Sequence, residues 1–280
     1  MFYSWLPMLL IVAASLVVGR AITRACGREK WWGIEPAVGF AALMAVEGLL
    51  ARVPGTRAAL IAGLVALAAF SIWVLRRPGR GDLPDSPLFW AVGLIAALLL
   101  SVPFLITGHW GLLGMGYNND LGLHLAWAEW LRSGFGTEPS DGYPLGPHGL
   151  TAALAIPDFG LGRVFIGQVA AIAVLSVMTA WAAVESLGRW RRLLAALLVG
   201  LPYLMTSFYA QAAFKELAAA MFLLAFVIAL PKVTPPPAGR RLRTIAPLLI
   251  LLLGIIFTYS FPGLAWHQNQ ELRPVLLTPV

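Results

Sequence analysis

Asp120 and His124 stand one helical turn apart in the stretch GYNNDLGLHLAWAEWLRSGFGTEPSDGYPLGPHGL (residues 116–150), the one long polar interval of the chain. Four of the thirteen acidic residues (Asp120, Glu129, Glu138, Asp141) and two of the four histidines (His124, His148) fall in it, so acid–base chemistry belongs here if anywhere. A carboxylate and an imidazole at i and i+4 are neighbours on a helix surface. Together they can take a proton and orient a hydroxyl. A second polar island, Ser207 to Glu216, carries Tyr209, Gln211, Lys215 and Glu216. Lys215 opens an apolar run, where a helix N-terminus adds unpaired backbone amides to the ammonium, which is the chemistry of a phosphate site. Each residue also has a structural reading. Asp120 serves as an N-cap, His124 as a surface residue, and Lys215 as an interfacial cation paired with Glu216 and reaching for water.

The elements that must position these groups are set by the composition. With 59% hydrophobic residues, 12% charged residues and a mean hydropathy of +0.80, the chain is unlike a soluble domain, in which roughly 25% of residues are charged. Apolar runs near residues 2–18, 34–50, 58–75, 88–107, 164–185, 193–206, 217–230 and 245–266 predict about eight transmembrane helices of an all-α polytopic membrane protein. The net charge of +7 comes from arginines in short joints between these runs. That pattern follows the positive-inside rule and excludes a nucleic-acid face. It sets Arg28, Arg80, Arg191 and Arg241 in the cytoplasm, and Asn119, Gly136, Gln211 and both termini outside. The joint at Arg52 to Arg57 is short and basic, and leaves a re-entrant pair open for the second and third runs. Glu47, near the far end of the second run, is expected to pair with Arg52 or Arg57 or to snorkel; a proton relay is the other reading. The single cysteine, Cys26, excludes an internal disulfide.

Within the polar stretch, Asn118-Asn119-Asp120 precedes LGLHLAWAEWLRSG, which predicts a capped helix over residues 120–133 stopping at Gly134. Leu123, Trp127, Trp130 and Leu131 share one face by their spacing, and Asp120 and His124 another. The tryptophans predict a helix lying on the outer membrane surface. After a turn-rich segment, Tyr143-Pro144-Leu145-Gly146-Pro147-His148 leads into an apolar helix near Gly149.

An acidic residue opening an interfacial helix, followed by a Tyr-Pro turn opening the next, resembles the first external loop of GT-C type glycosyltransferases, polytopic membrane enzymes that use polyprenyl-phosphate sugars. The similarity covers roughly residues 87–230 and fits best the actinobacterial-type members with extra spans before the loop. It implies a three-helix extension over 1–86, a membrane core over 87–266 with its external loop at 108–163, and an external tail at 267–280 that reads as a truncated continuation. It implies that Asp120 is the catalytic base, with His124 positioning donor or acceptor. Tyr143, His148, Tyr209, Gln211, Lys215 and Glu216 would then contact a polyprenyl-phosphate-linked sugar and a glycan or lipid acceptor. Asn119 and Leu121 flank Asp120, where the family commonly has adjacent Asp-Glu, so a two-carboxylate metal site is not expected there.

All four histidines fall on the outer side under this topology, but their spacings match no metal-ligand pattern. No cofactor is implied, although a divalent metal stays open. No Gly-rich phosphate loop after a strand supports a soluble nucleotide-sugar donor. The Ala/Leu/Arg/Trp-rich composition suggests a bacterial cytoplasmic (inner) membrane and a cell-envelope product. A transporter or flippase, with Glu47 as its ionisable residue, and a non-catalytic truncated membrane protein are the alternatives.

Overall fold

A computed structural model describes residues 2–53, 56–76, 83–84, 86–107, 120–156, 160–233 and 241–260, and all elements among them are helical. In chain order they are α1 (Phe2–Ala25), α2 (Glu35–Leu50), α3 (Thr56–Leu75), α4 (Pro87–Thr107), α5 (Asp120–Ser133), α6 (Gly146–Leu154), α7 (Leu161–Ala183), α8 (Arg189–Gly200), α9 (Tyr203–Ala210), α10 (Phe214–Ala229), continued by a single 3-10 turn (Leu230–Lys232), and α11 (Arg241–Tyr259). Six of them, α1, α3, α4, α7, α10 and α11, are long and apolar enough to cross a bilayer. The pair α8–α9 makes a seventh if it counts as one span. The chain is thus an all-α polytopic membrane protein. The second apolar run folds as α2, whose 16 residues extend about 24 Å at the usual helical rise. The sixth run is broken at Leu201-Pro202, where α8 and α9 meet at 50°. Proline lacks the amide that would continue the ladder, and its ring crowds the preceding turn. The end of the eighth run and the tail at 267–280 lie outside the described residues.

The bundle is built around α7. Every residue of its apolar window is buried, and Ala170, Ala171, Ala173, Ser176 and Ala180 keep its surface thin enough for α1, α4, α8 and α10 to pack directly on it. α2 is also buried along most of its length, between α1 and α11. α1, α2 and α3 therefore contribute to the same core as α4, α7, α10 and α11. α3 is peripheral, with Val65, Ile72 and Trp73 exposed as a lipid-facing helix requires. Ser15, Ser71, Ser101 and Ser176 each donate to the carbonyl four residues earlier, so their hydroxyls need no outside partner in an apolar surrounding.

At one end of the bundle, a buried ionic staple holds the α1–α2 joint. Arg20, which belongs to the last turns of α1 rather than to the joint, reaches back to the carbonyls of Arg28 (3.1 Å), Glu29 (2.6 Å) and Lys30 (3.1 Å). It also stands 3.9 Å from the Glu35 carboxylate. Glu35 in turn accepts the amides of Trp32 (2.8 Å) and Gly33 (2.6 Å). On the same end, Arg28 donates to the Lys232 carbonyl and Lys232 pairs with Glu185 at 3.2 Å. At the other end, Arg52 donates to the Tyr143 carbonyl (2.8 Å) and Arg57 to the Ala155 carbonyl (3.1 Å). Among the described residues, the α1–α2 joint thus meets Lys232 after α10, and the α2–α3 joint meets the segments on either side of α6.

Glu47 departs from expectation. Both of its oxygens are buried with no hydrogen-bond partner among the described residues, beside Gly63 of α3 and Gly149 of α6. Arg52 and Arg57, expected as its partners, are occupied by the loop carbonyls.

Removing one partner of a buried ionic pair costs about 3–5 kcal/mol. Arg20→Met is expected to lower the unfolding temperature of the full chain in detergent clearly. Arg76→Met, at an exposed arginine beside Trp73, is expected to move it little. Equal unfolding temperatures for the two variants would refute the staple.

Candidate functional site

α5 occupies residues 120–133, as its capping and periodicity predict. Gly134, with φ +76°, takes the left-handed conformation that ends it. Its buried face differs from the expected one. Leu121, His124, Trp127, Ala128 and Leu131 are buried, while Leu123 is exposed. The spacing groups Leu123 with Trp127, Trp130 and Leu131 on a face suited to the membrane interface and sets His124 on another. In the fold His124 takes the inward position, because its ring has an apolar and aromatic surround and a polar partner waiting for it.

That partner is His148. Its Nε2 lies 3.0 Å from Nδ1 of His124, with both rings buried. His148 rides on α6, which begins at Gly146, three residues earlier than expected, with Pro147 in its first turn. Residues 146 to 153 of this short helix are all buried. Around the two imidazoles the aromatic rings close in. Phe165 of α7 stacks on His124 at 6.0 Å and 18°, and Phe214 of α10 meets it edge-on at 4.9 Å. Tyr143 and Trp127 pack at 4.2 Å between ring centroids. Lys215 then lays its ammonium 4.5 Å from the centre of the Tyr143 ring. A cation on an aromatic face gains about 0.5–2 kcal/mol, which fixes the side chain at the mouth of a cavity.

The cavity, of about 200 Å³, is lined by Leu121 and His124 of α5, Phe208 of α9, Gln211, Ala212 and Ala213 of the α9–α10 turn, and Phe214, Lys215 and Glu216 of the first turn of α10. Ala212 takes φ +56° at this turn, a conformation costly to a residue with a Cβ. Two segments far apart in sequence, the start of α5 and residues 208–216, thus meet at one place. His124, Gln211, Lys215 and Glu216 border the cavity, and Tyr143 and His148 support them from behind. Tyr209 is not brought in, since its hydroxyl donates to the Leu100 carbonyl at 3.2 Å and ties α9 to α4. Asp120 is the first residue of α5, one turn before His124, with its side chain outside the described set. Asn118 and Asn119, read as its capping neighbours, lie outside it as well. No cluster of three or more metal-binding side chains occurs among the described residues.

Sequence reasoning missed the second layer. Phe165 and Phe214 sit in apolar helices and carry no signal of their own. Arg52 and Arg57 did leave one: a basic joint on the side away from the other basic joints marks arginines with work to do, here on the backbone of the site loop. Comparison with family models, curated proteins and solved structures finds no match to this chain.

Burial, and then the nearness of His124 and of the Lys215 charge, holds His148 well below the ordinary imidazole range; the Pro144 carbonyl offsets only part of this. A histidine kept neutral by the fold favours the folded state above its unfolded pKa of about 6.5, and that advantage is lost as the pH falls below it. The unfolding temperature of the full chain is expected to fall on acidification from pH about 7 to 5, and to fall less steeply in His148→Gln. Identical slopes would show that His148 does not carry this dependence.

Proposed function

We propose that the chain is a membrane glycosyltransferase of GT-C type, moving a sugar from a polyprenyl-phosphate donor to a cell-envelope glycan or lipid acceptor on the external face of a bacterial cytoplasmic membrane. In this reading the chain crosses the bilayer eight times, with α2 and the bent α8–α9 pair each counted as a span. α5 lies at the outer membrane surface over the site. The observation that carries the proposal is the cavity itself. A lysine at the N-terminus of a 16-residue helix and an imidazole of the polar loop border it together.

Each residue has a chemical task. The donor phosphate sits against Lys215 and the first amides of α10, where the ammonium and the helix dipole both favour an anion. Gln211 and Glu216 accept hydrogen bonds from sugar hydroxyls, and His124 orients donor or acceptor. Asp120 removes the proton of the acceptor hydroxyl as its oxygen attacks the anomeric carbon. The bond from that carbon to the phosphate oxygen breaks, the lipid phosphate departs as an anion held by Lys215, and the proton remains on Asp120. Lipid-facing apolar surface on α3 and α4 suits a substrate whose tail stays in the bilayer.

A transporter is the competing reading, and Glu47 is what favours it, as a buried carboxyl without a described partner in the apolar core. The two separate on a transfer assay with purified protein in detergent, where no gradient exists. Asp120→Asn keeps the size and capping ability of the residue and removes the base. Transfer is expected to fall roughly 10²–10⁴-fold with folding intact, since Asn caps a helix as well as Asp. Lys215→Met is expected chiefly to weaken donor use, seen as a raised KM. Transfer at the normal rate by Asp120→Asn reduces that residue to a helix cap, and no transfer by the unsubstituted protein favours the transporter.

A further inference from the structure

A second cavity, of about 480 Å³, lies between α1 and α3 and shares no lining residue with the one at Lys215. Ala13, Ala14 and Val17 of α1 form one wall, and Leu64, Ala68 and Ile72 of α3 the other. Its back is closed by Leu43 of α2 and Leu150 of α6, both buried in the core of the bundle. Its mouth is open sideways, since Leu10, Val17 and Ile72 are 48%, 46% and 70% exposed on helices long and apolar enough to span a bilayer. The one polar side chain of the lining, Ser71, donates to the Leu67 carbonyl at 2.7 Å, so its proton is used within α3. A crevice of this kind takes hydrocarbon.

The shape follows from where α3 is held. Gly63 lets it approach α2 directly, against Val46 and Leu50. Beyond that contact, alanines face each other across the gap, Ala68 from α3 and Ala13 and Ala14 from α1, and the space stays open. Gly19 meets Glu35 and Gly39 meets Ser15, so α1 and α2 run antiparallel, and the short joint after α2 turns α3 back again. α1 and α3 therefore point the same way. Arg76, next after the last residue of α3, arrives at the end of the bundle that carries the Arg20–Glu35 staple. The lined stretch, Leu10 to Val18 on α1 and Leu64 to Ile72 on α3, runs about 12 Å at the usual helical rise. One leaflet supplies half of the roughly 30 Å hydrocarbon core, so the depth fits an acyl chain entering from the Arg76 side. Arg76 is exposed one turn beyond Ile72, with its guanidinium 5.7 Å from the centre of the Trp73 ring. An exposed tryptophan beside a cation suits the level of lipid headgroups, and a guanidinium there draws a phosphate.

We propose that the α1–α3 crevice binds an anionic membrane phospholipid, which lays one acyl chain between the two helices and sets its phosphate against Arg76. Elsewhere the exposed faces of α3 and α4 meet lipid only as surfaces. Here an acyl chain reaches past a peripheral helix to Leu43 and Leu150. Leu150 stands two residues after His148 on α6, so the bound chain braces the helix that supports the first cavity. The occupant is a bilayer phospholipid rather than the tail of a sugar donor, because a donor phosphate at Lys215 would bring its tail in from the opposite end. The proposal does not depend on the glycosyl-transfer reading.

The test is native mass spectrometry of the full protein in detergent, titrated with palmitoyl-oleoyl phosphatidylglycerol, with the phosphatidylcholine of the same chains, and with a polyprenyl phosphate. One phosphatidylglycerol per protein is expected to be held in preference to phosphatidylcholine. Arg76→Met should lower that preference about five-fold, the worth of one cation beside an anionic lipid. Ala68→Phe, which fills the crevice, should abolish retention of both phospholipids, and Ile106→Phe, on the exposed face of α4, should change neither. Retention unchanged in Ala68→Phe overturns the proposal. So does a polyprenyl phosphate that displaces the phospholipid one for one, which would make the crevice a donor-tail site. A lipid-free dimer that Ala68→Phe dissociates overturns it in favour of contact between copies. If Ala68→Phe does not fold, a phosphatidylglycerol with a photoreactive acyl chain decides the matter on the unsubstituted protein. Crosslinks confined to the crevice residues of α1 and α3 support the site, and crosslinks spread over α4 and α11 overturn it.

Discussion

The structure depends on burying a short helix whose backbone is polar at both ends. α6 is nine residues long and lies among α2, α3, α5, α7 and α11. In an apolar surround each unsatisfied backbone group costs several kcal/mol, so the helix needs partners brought to it. Pro147 removes one amide from its first turn, and Arg57 takes the Ala155 carbonyl just past its last. Arg52 holds the Tyr143 carbonyl on the approach. Thr151 and Gln168 of α7 meet at 3.4 Å. Gly146 has no side chain because there is no room for one: a Cβ would stand 2.5 Å from the Met44 carbonyl and 2.8 Å from that of Phe257. That close approach of backbones on α2, α6 and α11 is what lets His148 reach the middle of the bundle end.

The rest of the fold can be read as the support this burial demands. α7 is slender along its length and has neighbours all round, with α5 and α6 packed over its beginning and α8 against its later turns. The Arg20–Glu35 staple and the Lys232–Glu185 pair tie the far end, leaving the near end to be shaped by the site. Charge is divided accordingly. At the far end arginine and glutamate satisfy each other and the joint backbone. At the near end Lys215 faces an aromatic ring and a cavity.

Much of the architecture was legible in the chain because lipid imposes simple rules. Long apolar runs became helices within a few residues, and Pro202 broke the run that contained it. The span of α5 was readable to its last residue from its period and Gly134. Which of its faces is buried was not readable. Spacing alone groups Leu123 with the tryptophans. A histidine that finds another histidine and four aromatic rings, Trp127, Tyr143, Phe165 and Phe214, is well placed inside. Glu47 misled similarly. Its nearest arginines in sequence were claimed by carbonyls of a loop about ninety residues away, and nothing local to Glu47 records that competition. Of the proposed site, the residue types were visible but their convergence was not, since it depends on α6 bringing residues 143–148 against α5 and α10.

The central claim is that Lys215 and the first turn of α10 form a seat for a lipid-linked phosphate in the cavity that His124 borders. The most direct measurement is the affinity of the purified chain for a polyprenyl phosphate in detergent, compared among the unsubstituted protein, Lys215→Met and Lys232→Met. Lys232 is the control, a lysine of the same charge at the opposite end, paired with Glu185. The account predicts saturable binding that weakens about ten-fold or more in Lys215→Met, the worth of a hydrogen bond to a charged group, and is unchanged in Lys232→Met. Equal affinity in all three proteins, or an equal loss in both variants, would contradict it.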